Sequence, residues 1–276
     1  MAVSEATVRT RVRNESENLI NLRSDTEERM TDSTSGCHPV FINSFTYVGT
    51  LILYIICLEI LNLPTLPFPL NKSMLVSNDE EFAKNKHMKY FFIALWSLHF
   101  MRRTVEVLFV HEYKRRMPVI ESVGAPIYYW FFSVWIAWSL RSECGYKQSF
   151  LALVILGSII FVTGEIGNCI CHIQLRNFRN EKRLNFISSC ASRHVLPHGF
   201  LFNYVSCAHY FFEILTWTGF FLTTWTLASV LFLVATIVTL IVYAGRKHQA
   251  YLQEFDGKDG IEIYLANRKA LIPFIY

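Results

Sequence analysis

The stretch FLFNYVSCAHYFFEILTWTGFFLTTWTLASVLFLVATIVTLIVYA, residues 200–244, decides the fold class. It contains one charged residue, Glu213, and is more than twice as long as the roughly 20 apolar residues that one membrane-spanning helix needs. The run is therefore long enough for two spans, and the threonine-rich residues 223–226 predict a tight turn between them. A half-helix over residues 200–207 would add one further segment.

Four more apolar runs precede this stretch, at residues 40–61, 88–110, 126–140 and 148–171. Hydrophobic residues make up 52% of the 276-residue chain and charged residues 17%, whereas ordinary soluble domains carry about 25% charged residues. Mean hydropathy is +0.29. These values exclude a disordered chain, a coiled coil, a disulfide scaffold and a typical cytosolic enzyme. We expect an all-α, polytopic membrane bundle of six transmembrane helices, with seven as the alternative.

The chain divides into two parts. Residues 1–36 are polar, lack the apolar core of a signal peptide and predict a flexible cytosolic arm, whereas residues 37–276 predict a membrane-embedded domain. Most of the 26 Lys and Arg residues fall in the arm, around the second-to-third and fourth-to-fifth connections, and in the tail. Because basic loops stay in the cytosol, both termini should face it. Basic residues that flank apolar runs also favour a membrane over nucleic acid as the partner.

Cysteines and short motifs narrow the chemistry. The seven cysteines lie mostly in or beside apolar runs, which favours buried, reduced thiols over disulfides. The sequence CICH at residues 169–172 has no known zinc spacing and no second pair of ligands, so we expect no metal. The chain also lacks a Rossmann glycine motif, a P-loop, an HExxH motif and a nucleophile elbow.

Polar residues inside the apolar runs are the most informative feature, because a charge at the centre of a spanning helix costs roughly 2.5–3.5 kcal/mol. They recur at steps of three and four residues, which places each set on one helical face. The sets are His99, Arg103 and Glu106 in the second run; Glu165, Asn168, His172, Arg176 and Arg179 in the fourth; and Tyr210, Glu213 and Trp217 in the fifth, where His209 also neighbours Glu213.

Three such faces predict one water-accessible cavity in the cytosolic half of the bundle. Guanidinium groups at its mouth suit a phosphorylated ligand, and apolar walls suit a lipid-like substrate. A structural interpretation stays open for each set. Arg103 and Glu106 can form an ion pair, the arginines of the fourth run can extend to the membrane surface, and Tyr210 can make a simple interhelical hydrogen bond.

Four stretches resemble the steroid 5α-reductase family, and most closely its very-long-chain trans-2-enoyl-CoA reductase branch. They are LHFMRRTVEVLFVH (residues 98–111), GNCICHIQLRNFR (167–179), FNYVSCAHYFFE (202–213), and the tail pieces KHQAYLQEF (247–255) and RKALIPFIY (268–276). The stretches follow the family's order, and the resemblance covers about residues 40–276.

The resemblance implies a seven-helix membrane protein of the endoplasmic reticulum that holds NADPH at its cytosolic side and a lipid between its spans. It implies that Tyr210 donates a proton and that polar residues of the fourth and fifth spans contact the cofactor. The expected site residues are Tyr210, Glu213 and Arg103 as catalytic residues; Asn168, His172, Arg176, Arg179, Tyr204, His209, His248, Tyr251 and Arg268 as cofactor-binding residues; and His99 and Glu106 as substrate-binding residues.

The implied reaction is NADPH-dependent reduction of the C2=C3 double bond of a long-chain trans-2-enoyl-CoA in fatty-acid elongation, with other elongation enzymes as partners. Hydride would reach the β-carbon, and Tyr210 would protonate the α-carbon. Two of the departures from the family pattern bear on activity and substrate: His209 stands where Asn is usual, and Phe100 where Tyr is common. They keep two alternatives open, the same chemistry on a steroid or polyprenol, and a catalytically silent lipid-binding or scaffold member of an elongase complex.

Overall fold

The computed structural model describes residues 37–59, 86–113, 116–143, 151–184, 196–255 and 268–276. These segments form six α-helices and one short 3-10 helix. The helices are α1 (Pro39–Glu59), α2 (Lys86–Phe109), α3 (Val119–Glu143), α4 (Leu151–Leu184), α5 (Ala208–Thr224) and α6 (Leu227–Glu254), and the 3-10 helix Phe200–Asn203 precedes α5. The predicted arm, residues 1–36, lies outside the described residues.

Four of the helices, α1, α3, α4 and α6, are long and apolar enough to cross a membrane. Helix α5 has 17 residues, and α2 carries charged side chains that its neighbours bury. The chain is therefore a polytopic all-α membrane bundle, as its apolar runs predicted.

One predicted helix boundary is wrong, and a second helix continues beyond its apolar run. Helix α3 begins at Val119 instead of residue 126, and Pro126 lies inside it. A proline inside a helix removes one hydrogen bond, which weakens a turn without ending this helix. Helix α4 continues to Leu184, past the end of the apolar run at residue 171, and so contains the whole predicted polar face through Arg179. Arginine is a good helix former, so the basic segment that includes Arg176 and Arg179 extends the helix beyond its apolar part.

Helices α4 and α5 pack with their backbones in close contact. A Cβ atom on Gly164 would lie 2.5 Å from the backbone nitrogen of Thr216, and one on Gly219 would lie 2.3 Å from that of Phe161. Only glycine permits this approach, and such small residues are a principal source of helix association in membranes. The close packing brings the polar face of α4 next to that of α5.

A cluster of aromatic side chains packs against the polar residues of α2 and α5. The fully buried Trp96 of α2 stacks on Tyr54 of α1 at 4.6 Å between ring centroids and meets Trp217 of α5 at 5.7 Å. Phe232 of α6 contacts Trp217 edge-on at 4.6 Å. His99, the first residue of the polar face of α2, packs on Trp217 at 4.4 Å. These ring contacts hold α1, α2, α5 and α6 together beside the polar residues.

The turn between α5 and α6 lies where the threonine-rich residues predicted it. Trp225 adopts a left-handed backbone conformation with φ 47°, and Thr226 caps α6 through a capping box with Ser229. The predicted half-helix over residues 200–207 reduces to the 3-10 helix Phe200–Asn203.

Candidate active site

The polar face of α2 carries an ion cluster. Arg102 and Arg103 both donate to the carboxylate of Glu106, Arg103 at 2.8 Å. Arg102 also reaches α4, where its Nε donates to Glu165 Oε2 at 2.5 Å and its Nη1 to Asn168 Oδ1 at 2.8 Å. Glu106 and Glu165 are only 3% and 4% exposed. Because a buried charge is tolerated only when it is paired, these contacts allow α2 to lie inside the bundle. The predicted Arg103–Glu106 pair is confirmed.

His99 lies between two carboxylates. Its Nδ1 is 2.6 Å from Oε1 of Glu165, and its Nε2 is 3.4 Å from Oε1 of Glu213. The same oxygen of Glu213 accepts a hydrogen bond from Nε1 of Trp217 at 3.1 Å. The cluster contains three carboxylates and two guanidinium groups, and the His99 ring contacts two of these carboxylates. Helices α2, α4 and α5 are thus joined through one histidine ring.

A chain of hydrogen bonds leads from Arg103 to the segment after α2. Nη1 of Arg103 donates to Nε2 of His172 at 3.0 Å. Because a guanidinium only donates, the proton of a neutral His172 ring sits on Nδ1, which lies 3.1 Å from Nε2 of His111. His111 then donates from Nδ1 to the hydroxyl of Tyr113 at 3.1 Å, and Asn43 of α1 donates to the same oxygen at 3.1 Å.

Glu106, His111 and His172 each place one potential metal-ligand atom within 4.8 Å of the others. A divalent cation there would lie beside the guanidinium groups of Arg102 and Arg103, whose charges oppose it. Burial, and then the charges of nearby arginines, lower the pKa of His111 to about 3, so its ring is neutral. Because both guanidinium groups already donate to Glu106, we interpret the three residues as part of the hydrogen-bonded network and not as a metal site.

A cavity of about 420 Å³ lies beside the ion cluster. Six of the predicted site residues line it: Arg103, Asn168, His172, His209, Tyr210 and Glu213. They belong to α2, α4 and α5, so the three polar faces meet at one cavity. Helices α1, α3 and α6 form the remaining walls, with Tyr47, Tyr129 and Tyr243 among their lining residues.

The wall formed by α4 and α5 contains an unsatisfied histidine. Nδ2 of Asn168 donates to the backbone carbonyl of His209 at 2.7 Å. Nδ1 of His209 is buried and has no hydrogen-bond partner within the part of the chain that the structure describes. The ring lies 4.2 Å from that of Tyr210, between centroids. A buried polar atom without a partner is costly, so a ligand that supplies one would be stabilised here.

His99 and Glu106, predicted to contact substrate, lie one layer behind the cavity wall and do not line it. Phe100 is also fully buried, and its ring packs against those of Tyr47 and Tyr129 at 5.9 Å each. Both tyrosines line the cavity. The two tyrosine side chains therefore lie between Phe100 and the cavity, and they carry hydroxyl groups that Phe100 lacks.

Six residues predicted to bind the cofactor do not line this cavity: Arg176, Arg179, Tyr204, His248, Tyr251 and Arg268. The structure places the tail against the segment before α5. Nδ1 of His248 lies 2.7 Å from the hydroxyl of Ser206, and Nη1 of Arg268 donates to the carbonyl of Pro197 at 2.7 Å. The amide of Ser206 also donates to the carbonyl of Lys269 at 2.8 Å. The tail residues therefore hold the entry to α5 in place.

Sequence reasoning did not single out Arg102 or His111. The spacing of Arg102 and Glu106, four residues apart, was a usable signal for a pair on one helical face. His111 follows α2 in an irregular segment, where no helical periodicity applies, and only the fold brings it to His172. Tyr129 lies in an apolar, aromatic run that gave no sign of a polar role.

These observations define an integral membrane protein whose helices enclose a cavity lined by paired charges. The sequence profile of the 3-oxo-5-alpha-steroid 4-dehydrogenase family matches residues 115–276. This range is more than half of the chain, so the chain belongs to that family, and the resemblance of its motifs is confirmed.

Curated relatives carry two kinds of name. The very-long-chain enoyl-CoA reductase of Dictyostelium discoideum is 34% identical over 184 residues, which are 66% of this chain and 57% of the relative. The trans-2,3-enoyl-CoA reductase-like protein of Homo sapiens is 28% identical over 181 residues, 64% and 47% of the two chains. The 3-oxo-5-alpha-steroid 4-dehydrogenase 1 of Rattus norvegicus is 35% identical over 121 residues, 44% and 41%. The chain thus spans about half the length of these relatives.

Proposed function

We propose that this chain reduces the C2=C3 double bond of a long-chain trans-2-enoyl-CoA with NADPH, as a step of fatty-acid elongation alongside other elongation enzymes. The observation that carries the proposal is a cavity among membrane-spanning helices with Tyr210, Glu213 and Arg103 in its walls. Relatives named enoyl-CoA reductases support the same reaction.

Arg103 and Tyr47 are the donors proposed for the thioester carbonyl. During reduction, negative charge develops on this oxygen, and donors that are already in place stabilise it. Both residues line the cavity, and Nη2 of Arg103 donates to the hydroxyl oxygen of Tyr47 at 3.4 Å. Because the tyrosine oxygen accepts this bond, its own hydrogen remains available for an acceptor in the cavity.

Tyr210 is the proposed proton donor to the α-carbon. A phenol is a workable acid toward an enolate, because the enolate is the stronger base. Transfer leaves a phenolate on Tyr210 that must regain a proton. Tyr210 also borders an outer mouth of about 610 Å³, which continues from the cavity past Glu121 and Lys247. Water in this mouth would return the proton.

The residues present fit a nicotinamide cofactor, which supplies the hydride when it is bound. Nδ1 of His209, which lines the cavity, is buried and lacks a hydrogen-bond partner among the described residues, which suits a polar ring substituent. Arg246 and Lys247 line the outer mouth, and such cations suit phosphate groups. Rates with NADPH and NADH, measured in parallel, test the proposed preference for the extra phosphate.

We further propose that the protein resides in the endoplasmic reticulum membrane, with residues 1–36 as a cytosolic arm and both termini in the cytosol. Arg176 and Arg179 of α4 and Arg246 and Lys247 of α6 lie near the ends of helices that run past the cavity. Basic residues at one end of a bundle favour a cytosolic position for that end. Glycosylation tags on either terminus should stay unmodified, and modification would reverse the proposed orientation.

A steroid or polyprenol substrate is the second candidate, and the 35% identity to the rat steroid dehydrogenase favours it. A catalytically silent lipid-binding member of an elongase complex is the third, since His209 and Phe100 depart from the family pattern.

One assay separates the three functions. Membranes that contain the full chain are supplied with NADPH and a long-chain trans-2-enoyl-CoA, a steroid enone or a polyprenol, and the reduced products are quantified. We expect turnover of the enoyl-CoA above membranes without the protein. Turnover of the steroid or polyprenol alone would transfer the function to the second candidate, and NADPH binding without any turnover would support the third.

A further inference from the structure

Among the residues that the structure describes, the cavity is open on the side between α3 and α6. Gly124 of α3 and Thr239 of α6 both line the cavity and are both exposed. A Cβ atom added to Gly124 would meet no heavy atom of the other described residues within 4 Å. We call this opening, bordered by Gly124, Ala125, Thr239 and Leu240, the lateral slot.

The lateral slot has a closed lower end. The hydroxyl of Tyr128 lies 3.4 Å from that of Thr236, and both residues line the cavity. The ring of Tyr128 also stacks on that of Phe232 at 5.6 Å, so α3 and α6 are in contact below this level. At the upper end, Glu121 and Tyr243 border both the cavity and its outer mouth. The slot therefore extends along about two helical turns, roughly 10 Å.

The outer edges of the lateral slot are apolar. Ile120 and Ile127 of α3 are 81% and 62% exposed, and Val238 and Val242 of α6 are 58% and 45% exposed. Both helices are long and apolar enough to cross a membrane. Exposed apolar side chains on a helix long and apolar enough to span suit contact with hydrocarbon, so the outer edges of the slot favour the interior of the bilayer over water.

The cavity is too small for a whole long-chain substrate. Its volume of about 420 Å³ is near the lower end of the range of roughly 300–1,000 Å³ that holds a drug-sized ligand. The reacting thioester and the nicotinamide ring must share this space. The remaining methylene groups need an apolar path, because their exposure to water is unfavourable.

We propose that the acyl chain of the substrate passes through the lateral slot into the bilayer while its thioester stays in the cavity. This inference rests on the proposed function. Residues at the slot then set the tolerance for long chains, since the part of the chain beyond Gly124 and Thr239 lies among lipids and needs no further protein pocket.

Photolabelling tests the path without depending on turnover. The full-length protein in lipid nanodiscs is illuminated with a long-chain trans-2-enoyl-CoA that carries a diazirine in the middle of its acyl chain. Adducts that an excess of unlabelled long-chain acyl-CoA prevents are mapped by mass spectrometry. We expect them on α3 and α6 around Ala125, Val238 and Leu240. Adducts confined to other helices, or no competed adducts, would overturn the proposal.

Substitutions at Gly124 test the width of the lateral slot. Gly124→Phe should lower specific labelling, and it should lower the ratio of long-chain to short-chain turnover about tenfold, a size that steric exclusion from an apolar site produces. The matched control is Ile159→Phe, which adds the same ring at an exposed position of α4 away from the slot. It should retain the wild-type chain-length profile. An unchanged profile in Gly124→Phe would contradict the proposed path.

The two readouts separate this inference from the proposed function. Specific labelling at the slot without reduction of any enoyl-CoA would refute the proposed reaction and leave the path intact. Reduction of long-chain enoyl-CoA with equal labelling in Gly124→Phe and wild type would refute the path and leave the reaction intact.

Discussion

Oε1 of Glu165 on α4 lies 2.6 Å from Nδ1 of His99 on α2, although 66 positions separate the two residues in the chain. The second oxygen of the same carboxylate binds Arg102. One acidic side chain thus holds two basic groups of α2 inside the bundle. Without this carboxylate, the two basic groups would stay buried beside the cavity. Their remaining partners alone would then have to offset the free-energy cost of burying them.

Replacing Glu165 should therefore destabilise the fold strongly. Glu165→Gln keeps the shape of the side chain but removes the charge that pairs with His99 and Arg102. We expect a loss of about 3 kcal/mol in the free energy of unfolding, the order measured when one partner of a buried pair is removed. Thermal unfolding of the purified protein in detergent provides the measurement.

Glu59→Gln is the matched control for Glu165→Gln. Glu59 pairs with Lys89 at 2.5 Å, but the side chains are 28% and 19% exposed. More accessible pairs of this kind contribute roughly 0–1 kcal/mol. Equal destabilisation by the two substitutions would show that burial of the Glu165 cluster is energetically unimportant.

The close packing of α4 and α5 should not tolerate a single added methyl group. Gly164→Ala would place its Cβ 2.5 Å from the backbone of Thr216, which cannot rotate away as a side chain could. We expect a loss of about 1–3 kcal/mol, as for overpacked cores. Gly124→Ala, where the added atom meets none of the other described residues, should leave the unfolding temperature unchanged or slightly higher. Equal effects of the two substitutions would be inconsistent with this contact.

His111 should make the fold sensitive to acid. Its ordinary pKa of 6.5 falls to about 3 in the folded chain, first because of burial and then because of Arg103 and neighbouring arginines. Between these values the unfolded chain carries a proton that the folded chain lacks. The free energy of unfolding therefore falls as pH decreases from about 6.5 towards 3, by at most about 1.4 kcal/mol per pH unit for this group.

His111→Gln should reduce this sensitivity. Between about pH 7 and pH 4, the unfolding temperature should fall less steeply in the variant than in the wild type. This range covers roughly the upper part of the His111 titration. His87→Gln, at the exposed opposite end of α2, should keep the wild-type slope. Parallel curves for His111→Gln and wild type would exclude a neutral, buried His111.

Tyr210→Phe should abolish most turnover while the cavity keeps its ligands. Loss of a general acid typically lowers a rate by about 10²–10⁴-fold, and removal of one hydroxyl leaves the packing of the ring unchanged. The measurements are enoyl-CoA reduction and NADPH binding in membranes. Tyr90→Phe, at an exposed position near the start of α2, is the control and should retain activity. Full turnover by Tyr210→Phe would remove the proton-donor role.

Local features of the sequence predicted much of the fold. Long apolar runs predicted the spanning helices, and residues 223–226 predicted the turn that Trp225 and Thr226 form. Two helices extend beyond their apolar runs, because hydropathy marks the apolar part of a helix and not its ends. The start of α3 and the basic end of α4 lie outside that apolar part.

The polar faces were predictable for two reasons. Residues three or four positions apart share one side of a helix, and charged residues inside a membrane span are rare unless they have a partner or a function. Their partners were not. The contacts of Glu165 with Arg102 and of His172 with His111 join segments that are far apart in the chain. The open side between Gly124 and Thr239 also lies between two distant segments.

The sequence by itself determined that this protein is a membrane bundle with charged helical faces, because hydropathy and helical spacing are properties of neighbouring residues. The tertiary structure alone decided which charges are paired, which six site residues share a cavity, and that the cavity opens between α3 and α6. Those outcomes depend on how helices that are distant in sequence pack together. Glycine contacts and aromatic rings set the distances between these helices, and no local sequence pattern specifies those distances.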